Sequence, residues 1–237
     1  MHIAGIEKNT LLDYPGMVAA TVFTGGCNLR CLFCQNKELV CSPPQIDEEE
    51  VMAFLKKRQG YIKGVCISGG EPLMQTDLTG FMGRIRDLGY KVKLDTNGTM
   101  SDALEDIIKR GLADYIAMDI KTDIPHYPGI CGGEDTAVSG GTTPDIDSIK
   151  RSVELIKGSD VDHEFRTTVV KEYYNEEIAD NVGRWLKGAK RYYLQAFRDS
   201  DTVLCGRGRL HPLGREEMEN LAGIVGRYIP EVGLRGI

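Results

Sequence analysis

The 237-residue sequence lacks the run of about 18–20 apolar residues that a membrane-spanning helix needs. Residues 1–12 lack the apolar core and the small-residue cleavage site of a secretory signal, so we expect a cytoplasmic protein with no membrane partner. Basic residues are not in excess either: 29 lysines and arginines against 35 acidic residues give a net charge of −6. Because binding along a nucleic-acid backbone usually requires a basic patch, we expect no nucleic-acid partner.

The cysteines do not suggest a disulfide framework, because their number, seven, is odd and such frameworks are unusual in the cytosol. Three of them crowd into one short segment, Cys27-Asn-Leu-Arg-Cys31-Leu-Phe-Cys34. Iron–sulfur clusters are held by thiolates, whereas zinc sites normally use four protein ligands, and no histidine stands at a matching distance from this segment. We therefore predict a [4Fe–4S] cluster held by Cys27, Cys31 and Cys34, with one iron open to a small ligand. A zinc site and free thiols are the weaker alternatives.

The remaining cysteines have no metal-binding spacing: Cys41, Cys66, Cys131 and Cys205. Cys66 lies inside a predicted strand and is expected to pack in the core. Cys41 and Cys131 lie on predicted loops that could approach the cluster, so a second cluster is a minor alternative.

Short apolar runs alternate with helical patterns along the whole chain. The predicted strands are 18–24, 65–68, 91–95, 115–120, 165–170 and 192–197. The predicted helices are 46–59, capped by Asp47, 78–88, 101–110, capped by Ser101, a helix from 145 or 147 to 156, 176–186 and 215–228. Strict alternation implies a parallel sheet with helices outside it, and six units are too few for a closed eight-stranded barrel. We predict one α/β domain, residues 1–237, folded as a partial (β/α)6 barrel of the TIM type; a flat doubly wound sheet is the alternative.

Polar residues end three of the predicted strands. The segments are 68–72 (Ser-Gly-Gly-Glu-Pro), 95–98 (Asp-Thr-Asn-Gly) and 119–121 (Asp-Ile-Lys). Each alone is an ordinary strand end, but in barrels of this kind the chemistry lies where the strands end. Oxygen ligands such as those of Asp95, Thr96 and Asp119 suit a monovalent or alkaline-earth cation.

The segment 123–144 is rich in Gly, Pro, Thr and Asp and shows little periodicity. It is longer than most loops of compact domains. It is either a disordered surface excursion or a lid or partner-docking loop.

The cysteine spacing after a first strand resembles the signature of the radical S-adenosylmethionine superfamily. This resemblance implies that the open iron binds the amino and carboxylate groups of S-adenosylmethionine. It also implies reductive cleavage to methionine and a 5′-deoxyadenosyl radical, with the protein orienting the cofactor and excluding water. Segment 68–72 looks like the family's Gly-Gly-Glu-Pro motif, which contacts the methionine amino group, and Lys121 could pair with the carboxylate.

Other segments resemble the activating enzymes of glycyl-radical enzymes, in particular those of anaerobic ribonucleoside-triphosphate reductase. They are Asp13–Gly16, Cys34–Asn36, 94–98, 118–121, 164–170 and 194–197. The resemblance covers nearly the whole chain. It implies an anaerobic enzyme that abstracts a glycine Cα hydrogen from a partner protein, with flavodoxin or ferredoxin as the electron donor.

The resemblance assigns the catalytic role to Cys27, Cys31, Cys34 and Lys121. It implies a cofactor-binding set of Phe33, Asn36, Gly69, Gly70, Glu71, Asp95, Thr96, Asn97, Asp119, Lys121, Arg166 and Gln195. Arg166 could instead form a salt bridge between strands. Pyruvate formate-lyase activase has a cofactor-contacting histidine on its last strand, whereas residues 193–198 hold none and Gln195 is the nearest polar candidate. The sequence also lacks the cysteine-rich ferredoxin insert of some activases, which predicts a single cluster.

Two alternatives stay open for the function. The first is a radical S-adenosylmethionine enzyme that acts on a small molecule, such as a deazapurine precursor, or on a tRNA base, although the acidic charge disfavours tRNA. The second is an iron–sulfur electron carrier without turnover, which would not need polar residues at the strand ends.

Overall fold

The computed structural model describes residues 1–131 and 140–237. One sheet holds eight strands that pair in chain order. They are β1 (Ile3–Thr10), β2 (Ala19–Thr24), β3 (Gly64–Gly69), β4 (Lys91–Thr96), β5 (Tyr115–Asp119), β6 (Asp162–Val169), β7 (Arg191–Ala196) and β8 (Glu231–Arg235). Strands β2 to β8 are parallel, and β1 runs antiparallel to β2. Within the described residues β1 and β8 do not pair, so the sheet is an open barrel, which confirms the predicted fold class.

Eight helices accompany the sheet in the described ranges. They are α1 (Lys37–Val40), α2 (Glu48–Arg58), α3 (Leu78–Asp87), α4 (Ser101–Lys109), α5 (Tyr127–Cys131), α6 (Ile146–Lys157), α7 (Glu176–Trp185) and α8 (Arg215–Val225). The six predicted helices are all present, with ends that differ by at most three residues. The short helices α1 and α5 were not predicted, and neither were the 3-10 turns Pro72–Met74 and Ile124–His126.

The strands that the sequence pattern missed, β1 and β8, are the two edge strands of the sheet. Strand β1 (Ile-Ala-Gly-Ile-Glu-Lys-Asn-Thr) has exposed residues in its second half, and β8 (Glu-Val-Gly-Leu-Arg) has no fully buried residue. Charged and polar residues at edges prevent sheets from pairing with other chains. Such strands therefore lack the apolar run by which the inner strands were recognised.

One of the two predicted helix caps needs correction. Asp47 caps α2 as expected, because its Oδ1 accepts a hydrogen bond from the Glu49 amide at 3.0 Å. Ser101, however, is the first residue inside α4, and Met100 holds the cap position. The Ser101 hydroxyl is instead engaged at 2.9 Å by the hydroxyl of Ser148 on α6, so it joins two helices rather than capping one.

The two faces of the sheet have opposite chemistry. The face towards the helices is apolar; it packs residues such as Ile67, Leu94 and Phe165 against helix side chains such as Leu55 and Phe81. The inner face carries buried polar and charged residues, including Lys93, Asp95 and Glu164. The apolar layer supplies most of the burial that stabilises the fold, which leaves the inside of the barrel available for ionic groups.

The Asp13–Gly16 segment closes the end of the barrel opposite the strand carboxyl ends. Tyr14 is buried there against Ala19, Ala117 and Tyr115, whose ring centre lies 6.1 Å from its own. A Cβ on Gly64 would lie 2.7 Å from the Tyr14 ring, so glycine is needed at that position. This part of the resemblance to activating enzymes is therefore structural and distant from the cysteines.

The segment predicted as a loop, 123–144, begins with ordered structure. The 3-10 turn Ile124–His126 leads directly into α5, in which Tyr127 is fully buried. Residues 132–139 of this segment lie outside the described ranges. No helix in the described residues is long and apolar enough to cross a membrane.

Candidate cofactor site

A cavity of about 240 Å³ opens at the carboxyl ends of the parallel strands. It brings together nearly all the predicted site residues: Cys27, Cys31, Phe33, Cys34, Asn36, Gly69, Gly70, Asp95, Thr96, Asn97, Asp119, Lys121, Arg166 and Gln195. Residues from distant parts of the chain meet here because parallel strands end at the same edge. Leu29, Gln35, Val40, Ser68 and Thr168 complete the lining.

The cluster loop, residues 27–34, leaves the end of β2 as a compact turn. The Cys34 amide donates to the Cys31 carbonyl at 2.9 Å. The Arg30 guanidinium folds back and donates to the carbonyls of Cys27 at 2.6 Å and Leu29 at 2.9 Å. Arg30 is buried, so its side chain fixes the loop from within.

The three thiols suit an iron–sulfur cluster by their chemistry and position. All three line the same cavity. Burial raises the pKa of Cys27 to about 12 and that of Cys34 above its usual range, so a cluster would have to displace the protons of these thiols when it binds. Among the described residues, no three acidic, histidine or cysteine side chains converge on a single metal ion. Thiols spaced around a cavity wall fit a ligand that is itself several atoms across, such as a cluster whose irons each take one thiolate.

Gly69 and Gly70 shape the site by allowing the end of β3 to lie against residues 24–26, which lead from β2 into the cluster loop. Gly69 has φ +117°, and its Cβ would lie 2.3 Å from the Thr24 carbonyl oxygen. A Cβ on Gly70 would lie 1.9 Å from the Gly26 carbonyl oxygen. Any other residue would push the loop away, so these glycines permit backbone-to-backbone contact as well as lining the cavity.

Glu71 is the one predicted contact residue that does not line the cavity. It is fully buried, its Oε1 accepts from the Thr96 hydroxyl at 2.9 Å, and its Oε2 accepts from the Asn97 amide at 2.7 Å. Burial raises its pKa to about 7. Its carboxyl group thus braces the end of β4, and its direct contact with a cofactor stays a prediction.

The charged residues of the site form one alternating row across three strands. Lys93 pairs with Asp95, and Asp95 Oδ2 lies 3.0 Å from an Arg166 Nη2. The Arg166 Nε donates to Asp119 Oδ1 at 2.5 Å, and Lys121 Nζ donates to Asp119 Oδ2 at 2.9 Å. Arg166 therefore forms the predicted salt bridge between strands and also lines the cavity, and its contact with a cofactor stays a prediction.

This ion row keeps its members charged despite their burial. Burial would raise the pKa of Asp95, but Arg166 and Lys93 hold it below its usual range. The pKa of Asp119 is likewise low, because Arg166 and Lys121 outweigh the effect of burial. Three protein cations thus already neutralise the two carboxylates that were considered for a bound cation, and the cation stays a prediction.

The cysteines outside the cluster loop have different environments. Cys41 is exposed, and Cys66 is buried with its sulfur 3.6 Å from Lys93 Nζ, so it packs among ionic groups of the barrel interior. Cys205 pairs through its backbone amide with the Leu32 carbonyl at 3.1 Å. Cys131 places its sulfur 3.1 Å from that of Cys31.

Both described parts of the 123–144 segment, residues 123–131 and 140–144, contact the cluster loop. The Arg30 amide donates to the Cys131 carbonyl at 3.2 Å, and the Thr142 amide donates to the Asn28 carbonyl at 2.9 Å. These contacts favour a role at the site over a surface excursion.

Three polar residues at the site were not singled out from the sequence: Ser68, Lys93 and Thr168. Alternation of side chains along the strands could have found them. Lys93 and Asp95 share one face of β4, and Arg166 and Thr168 share one face of β6, because side chains two apart point the same way. Ser68 directly precedes the glycines, and its hydroxyl donates to Asp95 at 3.0 Å.

Comparison with known protein families identifies the chain. The family model of the radical S-adenosylmethionine superfamily matches residues 21–183, which is more than half of the sequence. The protein belongs to the radical S-adenosylmethionine superfamily. Membership implies a [4Fe–4S] cluster, S-adenosylmethionine and an enzyme of the oxidoreductase type.

Several known proteins resemble this chain to different extents. A Methanocaldococcus jannaschii protein described as a candidate glycyl-radical enzyme activating enzyme is 29% identical, over 99% of this chain and 96% of its own. The pyruvate formate-lyase-activating enzyme of Clostridium pasteurianum is 32% identical over 55% of this chain and 57% of its own. The crystal structure of Streptococcus suis SuiB bound to the precursor peptide SuiA shares the fold, with a TM-score of 0.69 at 14% identity, over 91% of this chain and 48% of its own.

Proposed function

We propose that this radical S-adenosylmethionine enzyme activates a glycyl-radical enzyme, and that its partner is anaerobic ribonucleoside-triphosphate reductase. The observation that carries the proposal is the similarity to a described activating enzyme over 99% of this chain and 96% of that protein. The segments 94–98 and 164–170, which resemble ribonucleotide reductase activating proteins, supply Asp95 and Arg166 of the ion row.

In this proposal Cys27, Cys31 and Cys34 hold the cluster. With the cluster bound, the site would supply the electron for reductive cleavage of S-adenosylmethionine to methionine and a 5′-deoxyadenosyl radical, which would take a hydrogen atom from a glycine Cα of the partner. That electron comes from an external low-potential donor such as flavodoxin or ferredoxin. Membership of the superfamily and the shared cavity of the three thiols support this assignment.

The charges of the cavity wall complement those of S-adenosylmethionine. The cofactor carries a carboxylate, an ammonium and a sulfonium group. Lys121 offers an ammonium for the carboxylate. Asp95 and Asp119 are already paired with protein cations, but their carboxylate oxygens can also accept hydrogen bonds from the cofactor's ammonium group. The remaining proposed contacts line the same wall: Phe33, Asn36, Gly69, Gly70, Thr96, Asn97, Arg166 and Gln195.

The chain's own residues then do three things. The ion row fixes Lys121 and Asp119 in place before the cofactor binds, because each is already paired within the protein. Glu71 holds the backbone of Asn97. The apolar side chains of Leu29 and Phe33 exclude water from the cavity wall, which protects a radical from quenching.

The test is made in two stages under strict exclusion of oxygen. Reconstituted, reduced protein is first mixed with S-adenosylmethionine, and 5′-deoxyadenosine and methionine are measured. The candidate reductase is then added and examined by electron paramagnetic resonance. We expect a doublet from a glycyl radical, and no doublet when the radical-bearing glycine of the partner is replaced by alanine.

Two other outcomes would each favour one of the alternative functions. Cofactor cleavage without a doublet on any glycyl-radical partner would point to a small-molecule substrate. Cluster binding without cleavage would point to an electron carrier.

A further inference from the structure

A pair of thiols stands out beside the cluster loop because only one of them is needed for a cluster. Cys131 ends α5, and its sulfur lies 3.1 Å from that of Cys31. Both residues are buried, with Cys131 fully so and Cys31 6% exposed. The contact joins parts of the chain that are 100 residues apart, and a backbone hydrogen bond from the Arg30 amide to the Cys131 carbonyl at 3.2 Å holds them side by side.

We propose that Cys31 and Cys131 form a redox-modification site, in which a peroxide converts the cluster-free protein to a Cys31–Cys131 disulfide. A disulfide has an S–S length of about 2.05 Å, so the two sulfurs need to approach by only about 1 Å. This inference rests on the proposed role of Cys31 as a cluster ligand. It adds a state of the site in which that ligand is unavailable.

The two cysteines differ in access, which sets the order of the chemistry. Cys31 lines the cavity, whereas Cys131 lies behind it and is fully buried. Of these two cysteines, Cys31 is therefore the one that a small peroxide entering the cavity can reach. Its thiol reacts with hydrogen peroxide to give a sulfenic acid and water.

The Cys131 thiol then resolves the sulfenic acid. Its sulfur displaces the hydroxyl from the Cys31 sulfur, and the displaced hydroxyl leaves as a second water with the proton of the Cys131 thiol. In sum, two thiols and one peroxide give one disulfide and two waters. The two thiols lose two electrons, and the O–O bond of the peroxide takes them up.

The disulfide and the cluster exclude one another, because the Cys31 sulfur cannot bind iron while it is bonded to Cys131. The remaining ligands, Cys27 and Cys34, would supply only two of the three thiolates. The oxidised protein would then stay empty until a thiol reductant restores Cys31. The same bond would protect Cys31 from further oxidation to sulfinic acid, which is not reversed by thiols.

The test uses the full-length protein after the cluster has been removed by a chelator and all cysteines have been reduced. Equimolar hydrogen peroxide is added, free thiols are alkylated, and proteolytic peptides are examined by mass spectrometry. We expect a peptide pair linking Cys31 to Cys131, with loss of the alkylated form of both. Cys27 and Cys34 should remain alkylated.

A second readout follows the metal. Oxidised protein incubated with iron and sulfide without a thiol reductant should bind at least tenfold less iron than reduced protein. Dithiothreitol should restore iron binding. Cys131→Ser should form no link and should leave sulfenic acid at Cys31, which a second equivalent of peroxide converts to sulfinic acid. The control Cys205→Ser should form the link as the wild type does.

The outcomes that overturn the inference are specific. They are a link from Cys31 to Cys27 or Cys34, sulfinic acid at Cys31 in the wild type with Cys131 still alkylated, or full iron binding by the linked protein. None of these measurements depends on catalysis. If the link forms in a protein that never cleaves S-adenosylmethionine, the proposed function fails and the modification site stands.

Discussion

Two arginines at opposite ends of the barrel make the same kind of contact in different surroundings. Arg166 on β6 bridges Asp95 at 3.0 Å and Asp119 at 2.5 Å, and these carboxylate partners are 11% and 30% exposed. Arg191 on β7 bridges Asp162 at 2.7 Å and Glu231 at 3.1 Å, but its carboxylate partners are about half exposed, at 47% and 56%. The motif of one guanidinium between two carboxylates is therefore repeated at both rims.

The difference teaches that burial, and not the presence of an ion pair, marks the functional rim. At the lower rim, where the parallel strands begin, water screens the charges, so the ion pairs around Arg191 contribute little to the stability of the fold. At the upper rim, where the parallel strands end, the charges are removed from water, and the buried carboxylates depend on neighbouring cations to stay ionised. Such an arrangement is costly to build, and it presents fixed charges to whatever enters the cavity.

The largest effect is expected at the cluster loop itself. Cys31→Ala should abolish cluster binding, because only two thiolates of the proposed set remain. Iron content and the visible absorbance of the reconstituted protein measure this. Cys205→Ala is the matched control, since its backbone contacts the cluster loop but its side chain does not line the cavity, and it should bind iron like the wild type. Equal loss in both variants would contradict the ligand assignment.

The two arginines provide the next comparison. Arg166→Gln leaves Asp95 and Asp119 without their shared partner, which should lower the free energy of unfolding by about 3–5 kcal/mol. Arg191→Gln should lower it by less than about 1 kcal/mol. Urea denaturation of both variants measures the difference, and similar losses would show that the two rims do not differ in effective burial.

Two lysines on β4 sharpen the comparison within one strand. Lys93 is 2% exposed and pairs with Asp95, whereas Lys91 is 61% exposed and pairs with Asp114 at 2.7 Å. Lys93→Met should cost about 3 kcal/mol of unfolding free energy, since Arg166 still compensates Asp95. It should also weaken S-adenosylmethionine binding, measured by calorimetry, because Asp95 loses one of the groups that position it.

Lys91→Met is the control for this change, with the same substitution on the same strand. Its cost should stay below about 1 kcal/mol, and cofactor binding should not change. An unchanged affinity in Lys93→Met would remove Lys93 from the positioning of the site.

The smallest effect concerns the outer face of the sheet. Burial lowers the pKa of His163 below its ordinary value of 6.5, so the unfolded chain takes up the proton more readily than the folded chain. His163 therefore favours folding above pH 6.5, and this contribution is lost as the pH falls, by at most about 1.4 kcal/mol per pH unit. Denaturation between pH 5 and 7 should show a shallower dependence in His163→Phe.

Much of the site could be predicted because its residues lie next to strongly patterned strands. The strands ending near Thr24, Thr96 and Asp119 are apolar enough to be recognised, so the polar residues after them could be assigned to one rim. The burial of Glu71 away from the cavity lining could not be foreseen, because a strand-end motif gives the position of a residue but not the direction of its side chain. Cys131 was assigned to a loop because Tyr127–Cys131 is too short a helix to show a period.

The sequence alone determined the alternation of strands and helices, the three closely spaced cysteines and the charged strand ends, because these depend on local order along the chain. Only the tertiary structure decided which charges are buried together, since Lys93, Arg166 and Asp119 meet across separate strands. It also decided that Cys131 lies beside Cys31. Contacts between residues about 100 positions apart arise because the curved sheet brings the carboxyl ends of its strands together, and no local sequence pattern records them.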